Sequence, residues 1–486
     1  MNLNFTNSAA IKRLEAEVNQ RLSHGHINSA LLLINRFVEN FFNSSIYESS
    51  ILSSREIDSL CLKIGRQNLM GLEWQKNSQF KSGNLRPKII YIVSRLQRSG
   101  GHSRLILDFI RAQPECDHLI VSTRVGGRTD DEFISQISLI GERANILFAP
   151  RGNLQSRLSW LQNMLLSHMP NHVHLFNNHN DSVAVSAMVP EIFVKGSFHH
   201  HGDHHLCLGV HFDHLDHIDF HPGGYHFCRN VLGINNRYLP LTIEDQPIFS
   251  YERRNRGGLA LTTATVARSN KIEIPYHVNY LDVIPEVLKK TGGRHIHIGR
   301  LSPLALYRIR REMRKRGISR DRLVYIGWSK NVWKSLIELG VDVYVASFPF
   351  GGGLTLVEVM GAGIPIILHQ HSFSRVLGGD GLVYPEAFRW TNPEALINHL
   401  ANLDVERLKS ESRLSRLRYE HFHKFEILRS YFQDPQSFKI DTPLLPMKLI
   451  PAFHELDVNP ECVGFNFFHT IYCRLRGIRN FFNTHL

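Results

Sequence analysis

"VDVYVASFPFGGGLTLVEVMGAGIPIILHQ", residues 341 to 370, carries a strand–loop–helix–strand pattern. Its first part, "VDVYVASF", is a short run rich in β-branched and aromatic residues, which is typical of a buried parallel strand. Three glycines follow, and "LTLVEVMGAG" predicts a helix that begins near Leu354 or Thr355. Because "IPIILHQ" reads as the next buried strand, the stretch predicts one unit of a doubly wound α/β sheet.

The same alternation extends in both directions along the chain. Strand-like runs upstream are "KIIYIVSRL", "HLIVSTRV", "ANILFAP", "VHLFNN" and "IFVKGSFHHH", and a second series contains "LALTTATV", "HIHIGR" and "RLVYIGW". A polar, turn-rich segment separates the two series. We therefore predict Rossmann-like domains at 86–245 and 255–435, preceded by a helical extension at 1–85 and followed by a tail at 436–486 with an amphipathic helix.

Composition limits the classes of function. The chain has 486 residues, 43% of them apolar, and a formal net charge of +12, which is typical of a globular protein of several domains. It has no apolar run of 18 residues, no signal-peptide pattern and no C-x-x-C pair among six cysteines, so we expect a cytoplasmic location. The positive charge favours partners that carry phosphate. Since the arginine-rich segment 306–322 has no aromatic residues between its arginines, we expect no nucleic acid and leave peripheral contact with the inner face of the membrane open.

The triple glycine suggests a phosphate-binding loop. Glycines let the backbone approach a ligand closely, and the following helix offers free N–H groups to a diphosphate. Glu358 lies about one turn into the predicted helix, where its carboxylate could accept hydrogen bonds from both hydroxyls of a ribose. The alternative is an ordinary turn between strand and helix with an exposed glutamate.

Glycine and basic residues recur at other predicted strand ends. In open α/β sheets these ends face the ligand-binding crevice. The loops supply Gly100, Gly101, His102 and Arg104 in the first domain, and Arg268, Lys271, Gly327 and Trp328 in the second. Together they predict a cleft that holds a nucleotide diphosphate between two domains.

Three of these segments resemble the motifs of a known family. "GGHSR" at 100–104, "HHGDHHLCLG" at 200–209 and "SFPFGGGLTLVE" at 347–358 are similar to segments of bacterial GT-B glycosyltransferases. The likeness covers roughly residues 88 to 425. It implies a GT-B fold and transfer of a sugar from a UDP- or GDP-linked donor to a glycan, lipid-linked or protein acceptor. It also implies that no cofactor is required beyond the nucleotide sugar.

The resemblance also implies roles for single residues. It assigns the ribose to Glu358, the phosphates to Lys271, and the base to the region of Gly327 and Trp328. It assigns binding of the diphosphate to Gly351, Gly352, Gly353 and Thr355. One departure concerns Phe350, which stands where many retaining members carry the first of two glutamates. Phenylalanine cannot make the polar contact to the donor sugar that a glutamate would make there. The resemblance therefore leaves retaining stereochemistry in doubt, and an inverting mechanism would need a general base.

Histidine is the natural candidate for that base. Ten of the 29 histidines lie between His199 and His226, and imidazole titrates near neutrality. Our hypothesis is that His201 or His204 is the base and that Asp203 orients it.

A metal site is the competing interpretation of the histidine-rich segment. His211, His214 and His217 have the spacing of one helical face, but the segment lacks an H-E-x-x-H pattern, so we expect no metal. Two other functions remain as alternatives: a GT-B-like binding protein without turnover, and a metal-dependent hydrolase.

Overall fold

The computed structural model of the chain describes residues 3–42, 52–72, 86–97, 101–126, 144–192, 195–203, 205–246, 260–274, 276, 278–370 and 379–443. These residues form fifteen α-helices: α1 (Leu3–Ser23), α2 (Ile27–Phe42), α3 (Arg55–Met70), α4 (Gly101–Ala112), α5 (Leu154–His168), α6 (Ser182–Ser186), α7 (Pro222–Asn230), α8 (Ser269–Ile272), α9 (Tyr280–Thr291), α10 (Pro303–Lys315), α11 (Val332–Glu338), α12 (Gly353–Gly361), α13 (Pro393–Ala401), α14 (Val405–Phe422) and α15 (Phe425–Gln433).

The described residues also form thirteen strands: β1 (Lys88–Val93), β2 (Asp117–Ser122), β3 (Ala144–Phe148), β4 (His172–Phe176), β5 (Gly196–His200), β6 (Asp216–Asp219), β7 (Asn236–Tyr238), β8 (Thr262–Val266), β9 (Arg294–Ile298), β10 (Leu323–Ile326), β11 (Val343–Val345), β12 (Ile366–His369) and β13 (Phe388–Trp390).

The strands build two parallel sheets. The first has the order β3-β2-β1-β4-β5-β6-β7 and the second β10-β9-β8-β11-β12-β13. In both, the order reverses between the first strand and the fourth, which is the mark of a doubly wound sheet. The predicted fold of two Rossmann-like units in tandem is therefore confirmed. The domain boundaries themselves remain a prediction.

Three short strands were not predicted. β6 and β7 lie in and beyond the histidine-rich segment, and β13 contributes only Phe388–Trp390. In β6 the buried residues include His217 and Asp219, so the strand lacks the run of apolar side chains by which buried strands are recognised.

The N-terminal helices belong to the core of the first domain. Val18, Ile34 and Ile64 are fully buried in one cluster with Ile90 and Val173 of the first sheet. The backbone of α3 touches α6, since a methyl group on Gly65 would lie 1.9 Å from the carbonyl oxygen of Ser186.

α3 also holds the loop that follows β5. The buried carboxylate of Asp58 accepts hydrogen bonds from the backbone N–H groups of Gly209, at 2.7 Å, and His211, at 2.9 Å. Burial raises the pKa of Asp58 to about 7 in spite of these two donors. The predicted helical extension thus binds the backbone of the histidine-rich segment through Asp58.

The last described helices return to the first domain. Phe432 of α15 packs edge-on against Phe109 of α4, with ring centroids 4.8 Å apart. The hydroxyl of Tyr419 in α14 donates to the carbonyl of Ile243 at 3.1 Å. The two sheets are therefore joined by packing as well as by the connecting chain.

The structure bears on two further features of the helices, one at the C-terminus and one concerning membranes. The predicted amphipathic helix at the C-terminus lies outside the described residues. Among the described residues, none of the helices combines the length and apolar character that crossing a bilayer would require.

The glycine at the end of α12 has a packing role. A methyl group on Gly361 would lie 1.8 Å from Cζ3 of Trp333, whose ring is fully buried under the helix. The ring also lies beneath the guanidinium of Arg416, 5.9 Å from its centroid. Only glycine allows α12 to sit this close to α11, so this contact fixes the distance between the two helices.

We expect Gly361→Ala to lower the free energy of unfolding by about 2 kcal/mol, because the extra methyl group must displace the Trp333 ring. Urea denaturation measures the change. Gly71→Ala is the control: its φ is −83° and the nearest atom to an added methyl lies 3.5 Å away. A Gly361→Ala protein as stable as the control would contradict this packing.

Candidate functional site

The candidate site of the second domain lies where β8 and β11 run side by side. These neighbouring strands mark the reversal of strand order, and both end at the same edge of the sheet. After β8 the chain enters α8, and after β11 it enters the glycine loop and α12. Ligands bind at this position in open α/β sheets.

Lys271 reaches the glycine loop. Its Nζ donates to the carbonyl oxygen of Gly351 at 2.5 Å, and a methyl group on Gly352 would lie 3.0 Å from the same Nζ. Thr355 is also adjacent, with Oγ1 3.5 Å from that methyl position. Burial and the nearby charge of Arg268 lower the pKa of Lys271 to about 8. The structure thus brings a lysine, the glycine backbone and a hydroxyl together, as the sequence predicted.

Glu358 lies in α12 with its side chain half-buried. Burial raises the pKa of its carboxyl to about 7, although the positive charge of Arg104 in the first domain acts in the opposite direction. At neutral pH the carboxyl is therefore partly protonated and partly ionised. A ligand that donates hydrogen bonds would stabilise the ionised form.

The remaining candidates of the second domain lie nearer solvent. Trp328 follows β10, and 47% of its surface is exposed. Gly327 precedes it, with the Tyr325 hydroxyl 3.8 Å from its methyl position. Arg268 is exposed at the start of α8. All three follow strands at the same edge as the glycine loop.

The glycine-histidine loop of the first domain faces this edge. Gly101 begins α4, and a methyl group on it would lie 3.7 Å from Cδ1 of Leu354 in α12. Arg104 is bound to Asp108 at 3.3 Å, and His102 donates from Nε2 to the carbonyl of Arg95 at 3.1 Å. Gly100 lies outside the described residues.

His201 follows β5 and stacks on His102, with ring centroids 5.2 Å apart and planes 23° apart. Its Nδ1 donates to the carbonyl of His199 at 3.0 Å, so the lone pair is on Nε2. Burial and the neighbouring His102 lower the pKa of His201 to about 3. The ring is therefore neutral at physiological pH, and it is a weaker base than an ordinary histidine.

Asp203 and His204 are the other two residues of the predicted base group. Asp203 is buried against α7, where a methyl group on Gly224 would lie 2.8 Å from its Oδ2. His204 lies outside the described residues. The sequence analysis expected Asp203 to orient the base. At Nδ1 of His201, the His199 carbonyl has this role.

The sequence analysis missed one histidine at the junction of the domains. His221 precedes α7, and a methyl group on Gly353 would lie 2.9 Å from its Cε1. His221 is in the histidine-rich segment, but nothing in its spacing distinguishes it from its neighbours. Only the fold shows that it faces the glycine loop.

The three histidines considered as a metal site do not share a helical face. Residues 206–215 form turns and irregular chain without a helix, and His217 lies in β6. Nε2 of His211 contacts the Ser53 hydroxyl, while Nε2 of His214 donates to the carbonyl of Met188. Within the part of the chain that the structure describes, one other group has converging ligand atoms: His200, His217, Asp219 and Cys228.

Comparison with known proteins gives likeness in structure alone. No family model matches the chain, and no curated protein sequence matches it. A glycosyltransferase from Rickettsia africae superposes with a TM-score of 0.55 at 11% identity, over 72% of this chain and 98% of the other. Anabaena HepE, solved with UDP and glucose, gives 0.53 at 12% identity, over 72% and 100% of the two chains.

A third solved structure is similar to this chain to the same degree. The lipopolysaccharide outer core galactosyltransferase WaaB superposes with a TM-score of 0.51 at 14% identity, over 71% of this chain and 98% of its own. The Rickettsia africae protein and WaaB are glycosyltransferases, and each of the three superpositions covers at least 71% of this chain. The chain has the GT-B fold.

Proposed function

We propose that this chain is a glycosyltransferase that moves a sugar from a nucleotide-diphosphate sugar to a hydroxyl group of an acceptor. The observation that carries the proposal is the contact of Lys271 with the glycine loop at the point where strand order reverses, with Glu358 in the helix that begins at this loop. The structure of HepE with UDP and glucose supports a uridine diphosphate donor.

The donor is bound mainly by the second domain. Lys271 and the backbone N–H groups at the start of α12 neutralise the diphosphate, with the Thr355 hydroxyl as a further donor. The ionised carboxylate of Glu358 accepts hydrogen bonds from the ribose, and the base rests near Gly327 and Trp328. Arg268 adds positive charge at the rim of the site.

Transfer needs a proton acceptor on the side of the first domain. Nε2 of His201 takes the proton of the acceptor hydroxyl as its oxygen forms a bond to C1 of the sugar. The bond from C1 to the diphosphate oxygen breaks, and the electron pair leaves with the nucleotide diphosphate, whose charge Lys271 balances. This displacement inverts the anomeric centre, consistent with Phe350 at the position of the missing glutamate.

The acceptor is a glycan, a lipid-linked sugar or a protein, and it enters the cleft on the side of the first domain, beside the stacked rings of His102 and His201. No cofactor beyond the nucleotide sugar takes part. The positive charge of the chain favours an acidic acceptor or one held at the inner face of a membrane.

We expect Lys271→Met and Glu358→Gln each to weaken UDP-glucose binding by about 10- to 100-fold, because each removes a charge-assisted hydrogen bond. Isothermal titration calorimetry measures the dissociation constants. Lys289→Met and Glu338→Gln are matched controls, since both side chains are exposed and precede strands at the opposite edge of the sheet. Equal affinities in all five proteins would overturn the assignment of the donor site.

Binding of UDP-glucose should also depend on pH in a bell shape. Glu358 must lose its proton, which occurs as the pH rises through about 7, and Lys271 must keep its proton, which it loses above about 8. Since the diphosphate of a nucleotide sugar does not titrate in this range, affinity should be highest between these values and about tenfold lower at pH 6. Calorimetry at several pH values checks this.

Glu358→Gln should remove the acidic limb of that curve and leave the basic limb in place. A wild-type affinity that stays constant from pH 6 to pH 9 would contradict the pKa values assigned to both groups.

His201→Ala should lower turnover by about 10²-fold, at the low end for a general base, because the neutral ring is only weakly basic. The release of UDP from UDP-glucose, with and without acceptor, measures it. The control is His214→Ala, a half-buried ring of the same segment that is bound to Met188. Tight UDP-glucose binding by a wild-type protein that releases no UDP would favour the binding protein without turnover.

A further inference from the structure

We infer that four buried side chains of the first domain, His200, His217, Asp219 and Cys228, form a closed structural zinc site. Their ligand atoms all lie within 4.8 Å of one another, and the four side chains are between 0% and 4% exposed. Two imidazoles, a carboxylate and a thiolate are a donor set that suits tetrahedral Zn²⁺. The inference does not depend on the proposed transfer reaction.

The fold brings these side chains together from separate elements. His200 and Asp219 are the last residues of β5 and β6 and are paired in register. His217 precedes Asp219 by two residues, so it lies on the same face of the strand. Cys228 comes from α7, the helix that packs on this end of the sheet. A sequence spacing of 200, 217, 219 and 228 matches no zinc motif, and for that reason the sequence did not reveal the site.

The distances are close to those of a zinc tetrahedron. Nδ1 of His200 lies 2.9 Å from Oδ1 of Asp219 and 3.5 Å from Sγ of Cys228, and Nε2 of His217 lies 3.3 Å from Oδ2 of Asp219. Zinc–nitrogen bonds of about 2.0–2.1 Å give tetrahedral edges of about 3.4 Å. These three separations lie within about 0.5 Å of that edge, and the remaining pairs, at up to 4.8 Å, would draw together on binding.

Charge balance favours an ion at this place. Nε2 of His217, the ring nitrogen that faces the group, is buried and has no well-formed hydrogen bond among the described residues. Without a metal, the buried carboxylate of Asp219 must be balanced by a protonated histidine. With Zn²⁺, two neutral imidazoles, one carboxylate and one thiolate give a net charge of zero, which is the least costly arrangement away from water.

The surroundings hold the ligands as they do in known metal sites. His217 uses Nδ1 to donate to the carbonyl of Val210 at 3.3 Å, which leaves Nε2 for the ion. The Asn236 amide donates to Oδ2 of Asp219 at 2.5 Å and to the carbonyl of Tyr225 at 2.9 Å. Both contacts orient a ligand without taking its place.

The location suggests what the ion would do. His201, the candidate base, directly follows His200, and His221 lies two residues after Asp219 at the start of α7. A bound ion would link β5, β6 and α7 close to His201 and His221, which line the cleft. Because all four ligands are buried, no position is open to substrate, so the site is structural rather than hydrolytic.

Metal content of the purified protein tests the inference. The protein is isolated without a nickel column, incubated with zinc, desalted and measured by inductively coupled plasma mass spectrometry. We expect about one zinc per chain in the wild type and in Cys61→Ser, whose thiol is equally buried but is not a member of the group. Cys228→Ser should lose most of it. Less than about a tenth of a zinc per wild-type chain would overturn the inference and leave a metal-free ion pair of His200 and Asp219.

A second measurement does not require the variant to fold. Wild-type protein loaded with Co²⁺ should show the sulfur-to-cobalt charge-transfer absorption of a thiolate ligand. A strong chelator should lower its melting temperature, with recovery when zinc is added back. Bound cobalt without that band would exclude Cys228 as a ligand, and an unchanged melting temperature after complete metal removal would exclude a structural role.

Discussion

The approach of Gly353 to the ring of His221 determines the geometry of the cleft. A methyl group at this position would lie 2.9 Å from Cε1 of the ring, so the loop after β11 can lie here only as glycine. Gly101 and Leu354 make a second contact between the same two regions. Because the carboxyl ends of both sheets meet in this way, the positive charge of Arg104 in one domain acts on Glu358 in the other.

Burial is the common cause of the unusual electrostatics in this cleft. It raises the pKa of Glu358, lowers that of Lys271 and lowers that of His201 still further. In each case it favours the neutral form of the side chain. An anionic, hydroxyl-bearing ligand would reverse the first two effects by supplying a counter-charge to the lysine and hydrogen-bond donors to the carboxylate. Donor binding would therefore favour the ionised forms of Lys271 and Glu358, on which the proposed transfer depends.

Much of the fold followed from sequence because most strands are short apolar runs. "KIIYIV" and "IPIILHQ" became β1 and β12, and Lys271 lies against the glycine loop because both follow neighbouring strands. The prediction failed where polar residues fill the interior. β6 was missed because His217 and Asp219 occupy buried positions, and the roles of His221 and Cys228 depend on how α7 packs, which no local pattern encodes. The contact of α15 with α4 is likewise a matter of tertiary packing.

Backbone hydrogen exchange with and without UDP would locate the donor site most directly. Mass spectrometry of the wild-type protein at saturating nucleotide should show slower exchange in two segments, 268–272 and 350–358, which surround Lys271 and the glycine loop. The N-terminal helices should exchange as before. Protection confined to those helices, or none in either segment although UDP is bound, would contradict a donor site built from Lys271, the glycine loop and Glu358.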